Sequence, residues 1–281
     1  MWLFFALISG VFYTAENLIL RYLLRQQKDA WAFAFFYSAV GTVITLPFML
    51  AMPKVPHELG LWLLVPIVGL LIVANNLLLF KSSGLLEASL VGALLKLRLV
   101  WVFILGVLIL QTPFSWDRLL GTILAITAGL IIVHKFRKSG SITGVSLVVM
   151  ATIFNASIVI LSKYLLNSFN AVSLTFFVSF LPPMIIMLVV MPHALVRIKK
   201  LFKNDWPIVF AACACGAFAN LALNAALSLH DATSVLVISE TFLILVLVGE
   251  HTVLKEREHG WVKVLSVALA IAGAILIDIS H

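Results

Sequence analysis

Apolar runs of about twenty residues, each long enough at ~1.5 Å per helical residue to cross a hydrocarbon core about 30 Å thick, fill nearly the whole chain. Short polar breaks separate them. The pattern predicts ten membrane-spanning helices, near 2–24, 30–52, 61–80, 88–110, 116–134, 143–165, 171–191, 206–227, 233–252 and 261–279. The breaks carry turn chemistry: Pro53 with Pro56, Thr112-Pro113, Ser139-Gly140-Ser141, Pro192, and Asn204-Asp205-Trp206-Pro207. Met1-Trp2-Leu3 has no basic leader and runs straight into the first span, so a retained helix is expected there rather than a cleaved signal. No stretch between spans has room for a soluble domain.

The pattern repeats at half-length. Arg21-Tyr22-Leu23-Leu24 returns as Lys163-Tyr164-Leu165-Leu166, and Glu87-Ala88-Ser89 as Asp231-Ala232-Thr233. Ala128-Gly129-Leu130-Ile131-Ile132 returns as Ala272-Gly273-Ala274-Ile275-Leu276. All need an offset of roughly 142–144 residues, which puts Asn155 on Tyr13 and Glu240 on Lys96. The expected units are therefore 1–138 and 139–281. Five spans per unit is odd, so the second unit must enter the membrane from the opposite face.

Loop charge agrees with that inversion. The loop after span 1 has Arg25 and Lys28, whereas its equivalent after span 6 has little beyond Lys163 at its edge. After span 2 there is only Lys54; after span 7 there are Arg197, Lys199, Lys200 and Lys203. After span 4 there is Arg118; after span 9 there are Lys255 and Arg257. With Lys135, Arg137 and Lys138 after span 5, the bases gather on the face holding loops 1–2, 5–6, 7–8 and 9–10. The positive-inside rule then puts both termini on the non-cytoplasmic side.

Composition narrows the class. The chain is 63% hydrophobic and 11% charged over 281 residues, too apolar for water to be its solvent. The net charge of +7 sits in short loops and forms no folded basic surface, so anionic headgroups fit it better than nucleic acid. Cys213 and Cys215 stand within an apolar run and read as small packing residues, with no disulfide framework and no metal set. A phosphate-cradling glycine loop, a nucleophile elbow and an HExxH helix are all missing, so neither an ATP-driven pump nor an intramembrane enzyme is expected, and no cofactor is implied.

Ionisable and amide side chains inside spans are the functional candidates, because each is costly in hydrocarbon. Span 4 carries Lys96 and Arg98, about 200° apart around the helix, so they point different ways. Lys96 is placed towards the centre, opposite Glu240 of span 9; the two either pair as a structural bridge or hold the ends of a zwitterion. Trp101 lies about one turn from both bases, offering a ring for stacking or packing. In span 1, Tyr13 and Glu16 share a face at i, i+3, and Glu16 is the proton-coupling candidate. Asn155 takes the place of Tyr13 in the second unit. Asn75 and Asn76 in span 3, and Asn220 and Asn224 in span 8, either glue helices or bind solute. Arg21, near the end of span 1, is expected to snorkel to the interface.

With ten spans, a five-plus-five inverted duplication and polar points on spans 1, 4 and 9, the chain resembles the drug/metabolite transporter superfamily, EamA-like branch. The Glu87-Ala88-Ser89 and Asp231-Ala232-Thr233 approaches to spans 4 and 9 carry the likeness, with the Ala128-Gly129 and Ala272-Gly273 endings of spans 5 and 10. The resemblance implies a central cavity lined by spans 4 and 9, with substrate-facing roles for Lys96 and Glu240. It also implies cytoplasmic termini, against the loop charges. The chain departs from the family in lacking a proline early in spans 4 and 9 and in having Gln111 where an acid often closes span 4.

The expectation is an all-α integral membrane protein of the cell (inner) membrane, ten helices in two inverted repeats. It would move a small polar or amphipathic metabolite by alternating access, driven by a proton or another coupling ion, as a monomer or homodimer. The embedded charges Glu16, Lys96, Arg98 and Glu240 cancel, which favours a zwitterion such as an amino acid. The alternative is a membrane scaffold or lipid-handling protein whose charges only pair.

Overall fold

In a computed structural model the described residues are 1–24, 29–83, 85–86, 94–95, 97–111, 119–121, 123–124, 142–191, 193–241, 268–269 and 272–273, with single positions at 91, 116, 127, 265 and 276. They form eight helices: α1 (Trp2–Leu24), α2 (Ala30–Ala51), α3 (Leu59–Ser83), α4 (Arg98–Ile109), α5 (Ile142–Leu165), α6 (Ala171–Val190), α7 (Ala194–Leu229) and α8 (Ala232–Thr241). Six of them contain stretches long and apolar enough to cross a membrane, from Trp2–Leu20 to Trp206–Leu229. Side chains that hydrocarbon cannot satisfy are bonded within the helix. In α2, Ser38 donates to the Ala34 carbonyl, Thr42 to Ser38 and Thr45 to Gly41.

Span 4, expected over 88–110, lies partly outside the described residues; there a turn at Leu97 precedes α4, with i→i+3 bonds from Leu97 to Leu94 and from Val100 to Leu97. The twelve residues of α4 reach only about 18 Å. Against the sequence pattern, Asn204-Asp205-Trp206-Pro207 is no break, because α7 runs through Pro207. Only one N–H is missing there, near the interface where water can serve the freed carbonyl. Within α6 the backbone widens to a π-turn over Thr175–Phe180, where the Leu181 N–H reaches Phe176. Pro182 and Pro183 follow and offer no N–H of their own.

Contacts at helix ends fix directions. The end of α2 meets the start of α6, where Asn170 Nδ2 donates to the Met52 carbonyl at 2.6 Å and the Lys54 N–H to Ser173 Oγ at 3.0 Å. The start of α2 meets the start of α7 through Asp29, whose carboxylate pairs with Arg197 at 3.3 Å. α2 and α6, which occupy corresponding places in the two halves, therefore run in opposite directions. Trp2 stacks near His230 at the end of α7, and Leu86 beyond α3 covers Gly144 at the start of α5, repeating the arrangement upside down. We call the side bearing Trp2, Met52 and His230 face A, and the side bearing Asp29, Leu86 and Arg197 face B. Helix contacts obey the same exchange: α1 with α7 and α5 with α3, α2 with α7 and α6 with α3, α4 with α5 and α8 with α1.

Burial is uneven between the faces. Towards face A, one cluster joins α1, α4, α5, α7 and α8 through Ala6, Leu99, Ile160, Leu227 and Leu236. It continues through Leu166 into a second, formed by α3, α5 and α6 around Val68, Phe169 and Leu174. Towards face B, among the described residues, the cluster on α2, α3, α6 and α7 shares no residue with the one around Leu86, Val91, Leu94 and Val148.

At the crossing of α2 and α6 the Phe180 ring lies where a Cβ on Gly41 would go. Gly41→Ala is expected to cost about 1–3 kcal/mol by overpacking and to lower the melting temperature in detergent. Gly60→Ala, where a Cβ meets nothing within 4 Å, leaves melting unchanged.

Candidate functional site

Tyr13 and Glu16 lie about 17–21 Å along α1 from its start, Arg98 about 16 Å from the end of α4, and Asn155 about 15 Å from the end of α5. All four thus sit near mid-membrane, at the face B edge of the cluster that closes face A. The turn before Arg98 falls at the same depth, with Leu97 in the right-handed helical region and its N–H bonded to the Leu94 carbonyl.

Two groups of contacts make up the site. In the first, Arg98 Nη1 donates to Asn155 Oδ1 at 3.1 Å, joining α4 to α5. In the second, Asn220 Nδ2 donates to the Tyr37 hydroxyl at 2.9 Å and to the Gly216 carbonyl at 3.0 Å. The Tyr37 hydroxyl lies beside the buried Glu16 carboxyl, so α7, α2 and α1 meet at one point. Glycine at 216 permits the meeting: a Cβ there would stand 2.7 Å from the Tyr37 oxygen and 2.9 Å from the Glu16 carboxyl carbon. Tyr13 stands one turn before Glu16 on α1 and packs against the face A cluster that also holds Leu99, the residue after Arg98.

The remaining candidates lie elsewhere or outside the described residues. Asn224 donates to Thr175 Oγ1 at 2.9 Å, tying α7 to the π-turn of α6. Asn75 is buried on α3, its amide 3.4 Å from Asn76 Oδ1 and its own Oδ1 without a protein partner. Trp101 packs against the face A cluster. Lys96 is outside the described residues, and Glu240 is described only by its helical backbone at the end of α8. Asp231, singled out by the repeat, caps α8: its Oδ1 accepts from the Thr233 and Ser234 N–H groups at 2.8 and 3.1 Å. Cys213 is buried and, like Cys215, a free thiol. No group of three His, Cys, Asp or Glu among the described residues could hold a metal ion.

Tyr37 and Gly216 were not among the sequence candidates. Tyr37 reads as one more aromatic in Trp31-Ala32-Phe33-Ala34-Phe35-Phe36-Tyr37, and Gly216 as a spacer beside two cysteines. Their only signal is that a phenol inside an apolar span needs a partner for its hydroxyl.

The model of the EamA-like transporter family matches the chain twice, over residues 1–134 and again over 142–278. A search of curated proteins finds no match. Among solved structures, one described only as the crystal structure of a protein superposes with a TM-score of 0.71 at 13% identity, covering 98% of this chain and 96% of its own. That likeness shows a shared fold.

Removing the Tyr37 hydroxyl leaves the Asn220 amide short of a bond. Tyr37→Phe and Asn220→Ala are each expected to cost about 1–3 kcal/mol. Their double mutant should fall short of the sum by at least about 0.5 kcal/mol in detergent unfolding, and full additivity would show the two groups to be independent.

Proposed function

The chain belongs to the EamA-like transporter family, and from that premise we propose that it is a secondary active transporter of a small zwitterionic metabolite, of which an amino acid is the type. Family membership makes it a multi-pass membrane transporter with a small-molecule substrate. The proposal adds the substrate class, the coupling and the cycle. Two inverted five-helix repeats, ten spans in all, would rock about a midplane site in the cell (inner) membrane.

The observation that carries this reading is the Arg98–Asn155 pair at mid-membrane, with a buried carboxyl, Glu16, at the same depth on α1. A guanidinium suits a carboxylate in fork geometry, and the N-terminal end of α4 adds positive potential there. Glu16 suits an ammonium group. One fixed charge of each sign, set apart by a phenol, fits a solute that carries both. Lys96 and Glu240, at corresponding places on spans 4 and 9, repeat that balance and extend the same site in this reading.

Glu16 also supplies the coupling. When the solute leaves, the carboxylate is left in a low-dielectric site and takes a proton, which the next solute displaces. Tyr37 holds the carboxyl while it changes charge, so the exchange is felt in the packing of α1 against α2 and α7.

Solute flux in proteoliposomes tests the proposal. Arg98→Ala is expected to fold and to lose about 10–100-fold in apparent affinity, the loss of one charge-assisted hydrogen bond. Glu16→Gln is expected to remove the response of uptake to a pH gradient. Lys96→Ala and Glu240→Ala, singly and together, separate binding from structural pairing: folded but inactive singles support a substrate role, and unstable singles rescued in the double mutant indicate a bridge. Undiminished zwitterion flux in Arg98→Ala would overturn the assignment.

A further inference from the structure

The halves meet on face A at a joint that the site does not use. Lys163, in the last turn of α5, sends its ammonium to the turn between α7 and α8. It donates to the Leu227 carbonyl at 2.5 Å and to the His230 carbonyl at 2.8 Å. The last carbonyls of a helix have no partner within it and carry negative potential, so a cation is the group they hold best. Asp231, the next residue along, caps α8 and interacts electrostatically with Lys163. From the other half, the Trp2 ring at the start of α1 lies 4.2 Å, centroid to centroid, from His230. One turn is thus gripped by α5 on one side and by α1 on the other.

This joint sits over the buried cluster that shuts the middle of the molecule towards face A. Towards face B, the described walls have separate cores. Among the described residues, the cluster over the site is continuous towards face A.

Taking the transporter reading as given, we propose that Lys163 is a positioning residue of the transport cycle. Its ammonium latches the α7–α8 turn to α5 and keeps the site closed towards face A, and its release opens that side. The sequence supplies a counterpart: Arg21-Tyr22-Leu23-Leu24 repeats Lys163-Tyr164-Leu165-Leu166 at the end of α1, which lies towards face B. A basic residue at each inverted position is what two alternating closures require, one engaged while the other is released.

Thiol labelling of the full chain in nanodiscs tests the latch without any substrate. Cys213 and Cys215 are replaced by Ala, and Ser9→Cys is the reporter: Ser9 is fully buried on the face A half of α1, and its hydroxyl has no hydrogen-bond partner among the described residues. A water-soluble maleimide should label it slowly in the parent and in Lys163→Arg. In Lys163→Gln labelling should quicken about tenfold, the population change that follows loss of one charge-assisted hydrogen bond. Met187→Cys, buried in the face B cluster of α2, α3, α6 and α7, should keep its rate. Equal labelling of Ser9→Cys with Lys, Arg or Gln at 163 overturns the proposal, as does equal quickening at Met187→Cys, which marks general loosening. Lys163→Met keeps the aliphatic stem and drops the charge, and repeats the measurement if Lys163→Gln does not fold. Labelling as expected in a protein that moves no solute would leave the latch standing and remove the transporter reading.

Discussion

Inside hydrocarbon a polar group has only the chain itself for a partner, and most of what is distinctive in this molecule follows from that. Ser38, Thr42 and Thr45 return their hydroxyls to their own helix. Asn224 finds Thr175, and Lys163 finds two carbonyls at a helix end. Each of these also pins one helix turn to another. Once they are set aside, the group of Asn220, Tyr37 and Glu16 and the pair of Arg98 with Asn155 remain at mid-depth, beyond the reach of the headgroups.

The same constraint shapes the two faces. Asp29 and Asn170 stand at corresponding positions of the two halves, and each caps the helix that follows it. Each also reaches across to the segment that follows the partner helix, Asp29 to Arg197 and Asn170 to Met52. The fastening on face B is ionic and about one-third exposed; that on face A is neutral. A carboxylate suits the face where the loop bases gather, and an amide suits the face where they are scarce. Inversion explains why the contacts match, and local charge explains why the residues do not.

The spans were legible because twenty apolar residues between turn residues have few other uses. Six apolar stretches of the described helices fall within a few residues of their expected ranges. The turn at Leu97 in span 4 was not legible, because Leu94-Leu95-Lys96-Leu97-Arg98-Leu99 contains no proline or glycine. In the site, Tyr13, Glu16, Arg98, Asn155 and Asn220 stood out because polar atoms are rare in these helices. Tyr37 and Gly216 did not, since an aromatic and a glycine are ordinary there until a neighbour's carboxyl is seen between them. The asparagines were undecidable from sequence, because an amide that glues and an amide that binds have the same spacing, and only partners such as Thr175 for Asn224 tell them apart.

A twofold scaffold does not make a twofold site. Tyr13 and Asn155 occupy one another's place in the two halves, yet one is a phenol and the other an amide that accepts a hydrogen bond from Arg98. The residue that corresponds to Glu16 at the same offset is Ile158, which is packed with α3 and α6. The charged positions break the twofold relation of the helices: a guanidinium towards α5, a carboxyl towards α2 and α7. In the transport cycle proposed above, a solute held between them would keep one orientation whichever side is open, and its selection would rest on the few buried positions at which the two halves differ.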